Sequence, residues 1–216
     1  MKDSTLLIPA PLRAYMLAHS VPLDAVQQRL IERTTALPEV AHWQTAPEQS
    51  ALITLLVRAL GARHAVDVGS FTGMSSLAIA RGLQPGGRVI ACDITDDWTP
   101  VATEAWQAAG VADLVELRIA PAIETLRALP AERYLDFSFV DADKEGYLDY
   151  YEELVVRTRQ GGIVAFDNTF RSGRVLEPVK AADHAVIEFN ARLAKDSRVE
   201  VVMLPVADGM SLAWRK

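Results

Sequence analysis

Oxygen-bearing side chains stand at the ends of two apolar segments of this chain. The runs Leu135–Asp141 and Ile163–Asp167 predict buried strands, and Asn168 directly follows the second run. Because ligands of open α/β sheets bind beyond the carboxyl ends of parallel strands, we expect Asp141, Asp167 and Asn168 to lie together. Two carboxylates and an amide oxygen suit Mg²⁺, although each residue taken singly could also be a helix or turn cap. The pattern therefore predicts a metal site.

Lys144 lies three residues after Asp141. A lone lysine is ordinarily a solvated surface residue. Beside a divalent cation and a buried pocket, however, the ammonium form is disfavoured, and the amine could accept a proton from a substrate hydroxyl. Lys144 and Asp141 are therefore the predicted catalytic residues.

A glycine turn provides a second candidate site. The apolar run His64–Val68 predicts a strand, Gly69 and Gly73 follow it, and Met74–Arg81 has the composition of a buried helix. The N–H groups at such a helix start face an anionic or nucleotide-like ligand, although glycines also occur in these turns for packing reasons alone.

Asp93 narrows the interpretation of this turn. It ends the next predicted strand, Val89–Asp93, 24 residues after Gly69, where its carboxylate can accept hydrogen bonds from a pair of ribose hydroxyls. A dinucleotide motif would have a further glycine where this chain has Phe71. A mononucleoside cofactor is therefore favoured over NAD.

Helices and strands that must position these residues follow a regular order. Helical spacing predicts three helices, Leu12–His19, Asp24–Leu37 and Pro47–Leu60, before the first strand. Strands and helices then alternate, which is typical of a parallel sheet. The predicted strands are His64–Val68, Val89–Asp93, Leu114–Ile119, Leu135–Asp141, Ile163–Asp167, Val199–Leu204 and Met210–Arg215, with a turn at Gly161–Gly162 before the fifth.

The last two strands differ from the others in their connection. They are joined by Pro205–Gly209, which is too short for a crossover helix, so they must form an antiparallel hairpin. The predicted fold class is α/β: a Rossmann-like, doubly wound, seven-stranded sheet, mostly parallel with a C-terminal antiparallel hairpin, and an N-terminal helical cap. We expect one domain over residues 1–216, with the cap in residues 1–60 and the core in residues 61–216.

Composition restricts the partners. Of the 216 residues 50% are hydrophobic and 23% charged, the net charge is −6, and lysine and arginine are scattered, so no nucleic-acid surface is expected. No segment approaches the length of a membrane-spanning helix, so no membrane partner is expected. The single cysteine, Cys92, excludes a disulfide framework within one chain and fits a reducing, cytoplasmic location.

Three motifs in the second half of the chain resemble a known family. The segments Phe139–Tyr147, Gly161–Thr169 and Leu204–Met210 are similar to those of the cation-dependent O-methyltransferases, which include plant caffeoyl-coenzyme A enzymes and bacterial catechol methyltransferases. The resemblance runs from about Thr45 to the carboxyl terminus and implies the class I S-adenosylmethionine (SAM) methyltransferase fold. It also implies a homodimer that methylates a hydroxyl of a small phenolic, catechol-type acceptor.

Roles for individual residues follow from this resemblance. It implies that Asp141, Asp167 and Asn168 hold a divalent cation, usually Mg²⁺, and that Lys144 lies near the reacting hydroxyl. A chelated catechol hydroxyl would have a lowered pKa and would attack the sulfonium methyl in line. The implied SAM contacts are Thr45, Asp67, Gly69, Ser70, Ser75, Asp93, Ala122 and Asp143.

This chain departs from the family pattern at two places. Asp67 stands where the family usually has glutamate, so its contact to the methionine amino group is expected to pass through water. Phe170 and Arg171, followed by Ser172, stand where many members have leucine and tryptophan. In this predicted substrate loop we expect Phe170 to stack on the phenolic ring and Arg171 to pair with a carboxylate on the acceptor. The alternative is that the arginine is solvated.

Two other functions remain compatible with parts of the pattern. A metal-independent methyltransferase would keep the glycine turn and Asp93 but would not need Asp141, Asp167 and Asn168 together. A non-catalytic protein could bind SAM without turnover. The presence of Lys144 together with all three predicted metal ligands argues against both.

Overall fold

A seven-stranded sheet forms the centre of the computed structural model, which describes residues 8–216. Its strands are β1 (His64–Val68), β2 (Arg88–Asp93), β3 (Val115–Ile119), β4 (Leu135–Val140), β5 (Thr158–Phe166), β6 (Val199–Leu204) and β7 (Met210–Arg215). Their order across the sheet is β3-β2-β1-β4-β5-β7-β6. β7 pairs antiparallel with both of its neighbours, β5 and β6, and the other four strand pairs are parallel. The predicted fold class is therefore confirmed, including the C-terminal hairpin.

Helices cover the sheet and precede it. They are α1 (Ala10–Ala18), α2 (Ala25–Thr35), α3 (Pro47–Ala59), α4 (Met74–Gly82), α5 (Thr99–Ala108), α6 (Ala122–Arg127), α7 (Tyr147–Arg157) and α8 (Ala181–Leu193). Helices α1 to α3 form the predicted cap, of which residues 1–7 lie outside the described part of the chain. None of the helices within residues 8–216 has the length and hydrophobicity that a membrane span requires.

Apolar side chains pack on both faces of the sheet. Phe137 and Phe139 of β4 lie in one core with Ile53 of α3. Phe166 of β5 lies in the other core with Phe189 of α8. Strands that are buried on both faces consist mainly of apolar residues, and the buried residues of β1 and β4 fit this pattern apart from Asp67 in β1 and Asp136 and Ser138 in β4.

The start of β5 corrects one prediction. Gly161 and Gly162 do not form a turn before the strand, because α7 ends at Arg157 and β5 begins at once with Thr158. The pairing between β4 and β5 is irregular here, and Gly161 has a φ of 77°. Two glycines permit either a tight turn or a bulged strand, and the neighbouring strand decides between them.

Asp136 ties strands together at the end of the sheet opposite to the predicted site. Its carboxylate accepts hydrogen bonds from the backbone N–H groups of Arg63 (2.7 Å) and His64 (2.8 Å) and from Nε of Arg159 (2.6 Å). Burial alone would raise the pKa of Asp136, but these hydrogen bonds outweigh burial and lower it. The carboxylate is therefore a structural acceptor for three donors.

We predict that Asp136→Ala lowers the free energy of unfolding by about 2–4 kcal/mol, because it leaves three donors without their acceptor. Urea denaturation measures this loss. The exposed Asp113 provides a control, since Asp113→Ala should change stability by less than about 0.5 kcal/mol. Equal effects of the two substitutions would contradict the structural role of Asp136.

Candidate active site

A cavity of about 1150 Å³ lies at the carboxyl ends of the parallel strands. Most of the residues predicted from the sequence line this one cavity. They are Thr45, Gly69, Ser70, Asp93, Ala122, Asp141, Asp143, Lys144, Asn168, Arg171 and Ser172. The fold therefore brings the glycine turn and the predicted metal ligands to the same space.

Asp141 and Asp167 follow two adjacent strands at matching positions. Val140 of β4 pairs with Phe166 of β5, so the two aspartates are the next residue of each strand. Neighbouring strands lie about 4.8 Å apart, which sets the spacing of the two backbones here. Asp141 belongs to the cavity lining, whereas Asp167 is only 1% exposed and lies deeper.

Tyr147 connects these strand ends to Lys144. Nζ of Lys144 donates to Oδ1 of Asp141 (2.7 Å) and to the Tyr147 hydroxyl (2.7 Å). That hydroxyl in turn donates to the backbone oxygen of Asp167 (2.9 Å). Burial raises the pKa of Tyr147 well above its usual value, and the carboxylates of Asp141 and Asp167 raise it further. Tyr147 therefore remains a neutral donor that holds the site together.

Gln49 contacts Asp167 from the helical cap and was not predicted as a site residue. Its Nε2 donates to Oδ1 of Asp167 (2.7 Å), and the side chain is buried. The sequence does contain a signal, because Gln49 precedes the buried Ile53 and Val57 at spacings of four along α3. A glutamine on the apolar stripe of a helix needs a buried partner.

Asn168 turns the chain away from the sheet. Its φ is 55°, in the left-handed region that asparagine tolerates better than most residues, and its N–H donates to Oδ1 of Asp167 (2.6 Å). Within residues 8–216, no three His, Cys, Asp or Glu side chains form a metal-binding group. In the predicted metal site, the amide oxygen of Asn168 would join the carboxylates of Asp141 and Asp167 as the third protein ligand.

Gly69 brings the glycine turn against the end of β4. It has a φ of 92°, and a Cβ atom added there would overlap the carbonyl oxygen of Asp141. The N–H groups of Gly69 and Ser70 both donate to the carbonyl oxygen of Cys92. Glycine is required here both for its backbone conformation and for the close approach of a second strand.

Asp93 lies at the opposite side of the glycine turn. Its Oδ2 accepts from the N–H of Phe71 (2.7 Å) and its Oδ1 from the N–H of Ile94 (2.8 Å). Phe71 also contacts Trp43 and Trp98 edge-to-face, with ring centroids 5.7 and 5.5 Å apart. These three aromatic residues line the cavity near Asp93.

Asp67 and Ser75 do not line the cavity, unlike the other predicted cofactor contacts. Asp67 is fully buried beneath the start of α4, where its Oδ2 accepts hydrogen bonds from Ser75 (2.8 Å) and Ser76. Burial raises the pKa of Asp67 to about 7, although the two serine hydroxyls lower it. Within residues 8–216, however, Oδ1 of Asp67 has no hydrogen-bond partner, so the predicted contacts of Asp67 and Ser75 to the cofactor stay predictions.

Phe170 is also directed away from the predicted substrate. Its ring packs on Gly209 in the β6–β7 turn, so closely that a Cβ at Gly209 would meet the ring at 2.5 Å. The residue is not part of the cavity lining, whereas its neighbours Arg171 and Ser172 are. The predicted stacking of Phe170 on a phenolic ring is therefore not supported by its position.

Arg171 and Ser172 are held by two buried aspartates. Nε of Arg171 donates to Oδ1 of Asp183 (3.1 Å), which also accepts from Nε of Arg174 (3.0 Å). The N–H of Ser172 donates to Oδ1 of Asp208 (2.6 Å). Because the Nε side of Arg171 is engaged, a carboxylate on the acceptor could only meet its terminal nitrogens.

Comparison with known proteins places this architecture in a family. The sequence model of the O-methyltransferase family matches residues 17–216. A Dictyostelium discoideum protein named "Probable caffeoyl-CoA O-methyltransferase 1" is 40% identical over 207 residues, covering 93% of this chain and 90% of that protein.

Solved structures agree with this match. The Bacillus cereus O-methyltransferase, solved in complex with SAH, is 27% identical with a TM-score of 0.85, over 94% of this chain and 96% of that chain. The Streptomyces achromogenes O-methyltransferase TomG, solved in complex with SAM, is 27% identical with a TM-score of 0.85, over 94% and 95% of the two chains.

The buried carboxyl of Asp67 predicts a pH dependence of stability. Its folded-state pKa of about 7 lies above the usual 3.8, so its contribution to stability is full below about pH 4 and is lost as the pH rises through 7. Asp67→Asn has no proton to lose. Between about pH 4 and about pH 8, the stability of Asp67→Asn relative to the wild type should therefore rise by up to about 4 kcal/mol.

Urea denaturation at several pH values tests this prediction. The matched control is Asp96→Asn, because Asp96 is exposed in the loop after β2. Its stability relative to the wild type should change little with pH. A stability difference for Asp67→Asn that stays constant from acid to alkaline pH would show that Asp67 titrates normally.

Proposed function

Because this chain belongs to the O-methyltransferase family, we propose that it transfers a methyl group from SAM to a hydroxyl of a small catechol-type acceptor, with a divalent cation such as Mg²⁺. The observation that carries the proposal is the meeting of two constellations in one cavity. The glycine turn and Asp93 approach from β1 and β2, and Asp141 and Asn168 from β4 and β5. Donor and acceptor sites on one cavity are what a group transfer requires.

Residues of the glycine turn are proposed to bind SAM. Gly69, Ser70 and Asp93 line the cavity on one side, with Thr45 of the cap loop and Ala122 at the start of α6 on others. Asp93 can accept hydrogen bonds from ribose hydroxyls in addition to those from Phe71 and Ile94, because each carboxylate oxygen has two lone pairs. The SAM and SAH bound to the two bacterial structures support this assignment.

The residues at the ends of β4 and β5 fit a hard divalent cation. Asp141 and Asp167 both raise the pKa of Tyr147, so their negative charges act on the same buried point. Two carboxylates and the amide of Asn168 offer only oxygen ligands, as Mg²⁺ prefers. When bound, the cation would polarise the acceptor hydroxyl and favour its deprotonated form.

Lys144 is proposed to receive the proton of the acceptor hydroxyl. Its Nζ lies 2.7 Å from Oδ1 of Asp141 and from the Tyr147 hydroxyl, and it lines the cavity. These two contacts hold the amine beside the proposed metal ligands. The ammonium form of Lys144 would be disfavoured by a divalent cation bound beside Asp141, and the neutral amine could then accept the proton of the hydroxyl.

Cap and core are proposed to work as one domain. The hydrogen bond from Gln49 in the cap to Asp167 in the core supports this, because the site is built from both parts.

By the family resemblance we further propose a homodimer. A cytoplasmic location is proposed from the single cysteine, Cys92, whose buried thiol has its pKa raised to about 12.

We predict that methyl transfer to catechol-type acceptors is lost after chelation and restored by Mg²⁺. Substitution of residues that contact metal ligands typically reduces activity by about 10- to 100-fold. Asp141→Ala removes a proposed ligand itself and should therefore reduce turnover by more than that. The control is Glu145→Ala, because Glu145 is exposed and close to Lys144 in sequence. Full activity of metal-free protein in EDTA would favour the metal-independent alternative, and SAM binding without any turnover would favour a non-catalytic protein.

We also predict that Asp93→Ala weakens SAM binding about tenfold or more, since charge-assisted hydrogen bonds contribute roughly 1.5–3 kcal/mol. Isothermal titration calorimetry measures the dissociation constant. Asp96→Ala changes the net charge equally at an exposed position of the loop that follows β2 and should bind SAM as the wild type does. Unchanged affinity in Asp93→Ala would remove Asp93 from the SAM site.

A further inference from the structure

Gln49 is a buried amide that joins the helical cap to the sheet. It lies in the first turn of α3 and is 1% exposed. Its Nε2 donates to Oδ1 of Asp167 at 2.7 Å, across a separation of 118 residues in the sequence. A hydrogen bond to a carboxylate in so buried a place is strong, and its removal leaves a buried acceptor with one donor fewer.

The orientation of this amide is determined by a second contact. The backbone N–H of Ala46 donates to Oε1 of Gln49 (3.0 Å). An N–H group can only donate, so the oxygen of the amide must face Ala46 and the nitrogen must face Asp167. Gln49 is therefore held as a donor toward Asp167 and cannot turn its oxygen to the carboxylate without losing the contact to Ala46.

Asp167 receives two donors on the same oxygen. Its Oδ1 accepts from Gln49 and from the backbone N–H of Asn168 (2.6 Å), while its backbone oxygen accepts from the Tyr147 hydroxyl. Two donors on one oxygen restrict the rotation of the carboxylate and thereby the direction of Oδ2.

We propose that Gln49 is a positioning residue that orients Asp167 for the divalent cation. This inference rests on the proposed function, since it assigns Asp167 as a metal ligand. Gln49 acts through Asp167 and is not part of the cavity lining. Hydrogen bonds of this kind to a ligating carboxylate typically change metal affinity by about 10- to 100-fold.

The test is Mn²⁺ binding, measured by the electron paramagnetic resonance signal of the unbound ion. Gln49→Met has nearly the same length and no hydrogen-bonding groups, and should weaken Mn²⁺ binding by about 10- to 100-fold. Its turnover should recover at high Mg²⁺ concentration, and its SAM affinity by calorimetry should stay within about threefold of the wild type. The SAM stoichiometry counts the folded molecules in each sample.

Ser50→Ala is the matched control. Ser50 is the next residue of α3, is equally buried, and accepts a hydrogen bond from Gln27 (3.2 Å) in the cap. The substitution removes a buried polar contact of the same helix and should leave Mn²⁺ binding unchanged. Gln49→Asn, whose shorter amide cannot reach both partners, serves if Gln49→Met does not fold, and should also weaken Mn²⁺ binding.

The outcomes separate this inference from the proposed function. Mn²⁺ binding by the wild type together with an unchanged Mn²⁺ dissociation constant in both Gln49 variants would overturn the positioning role alone. Equal losses of Mn²⁺ and SAM affinity would also overturn it, because they would indicate a general role in folding. A wild-type protein that binds no Mn²⁺ and ignores chelators would overturn the cation-dependent function, and this inference with it.

Discussion

The close approach of the Gly69 backbone to the carbonyl of Asp141 determines the geometry of the whole site. The turn after β1 and the end of β4 meet without room for a Cβ atom between them. Val68 and Val140 are paired neighbours in the sheet, and the N–H of Asp141 donates to the carbonyl of Val68 (2.8 Å). Because of this contact, the proposed methyl-donor side and the proposed acceptor side share one cavity. A larger residue at position 69 would force the two sides apart.

Several carboxylates lie at this edge of the sheet, and each is accommodated by different contacts. Asp67 is buried and its pKa is raised to about 7, so it carries little charge in mildly acid solution. Asp93 is stabilised by backbone N–H groups, Asp141 by Lys144, and Asp167 by an amide and its own neighbouring N–H. Like charges in a space of low dielectric repel strongly, so these contacts are needed for the carboxylates to lie at one edge of the sheet.

The loop after β5 has unusual backbone conformations that other residues hold in place. Asn168, Arg171 and Ser172 have φ values of 55°, 51° and 56°, although none of them is glycine. Each such residue costs free energy, which the surrounding contacts must offset. Asp183 holds the side chain of Arg171, and Asp208 accepts from the N–H of Ser172. These contacts hold the loop in one conformation, in which it forms part of the cavity wall.

The sequence by itself determined the strands, their mostly parallel order and the residues at the strand ends. Mainly apolar segments and the short connection at Pro205–Gly209 are local properties that need no knowledge of distant segments. Tertiary structure alone decided where the side chains point. Gln49 meets Asp167 and Phe170 turns to Gly209 because segments far apart in the chain pack together there. Asp67 faces the serines of α4 because the glycine turn folds the chain back within nine residues. The position of Gln49 on the apolar stripe of α3 indicates a buried partner, but the sequence does not identify that partner, because packing rather than backbone propensity selects it.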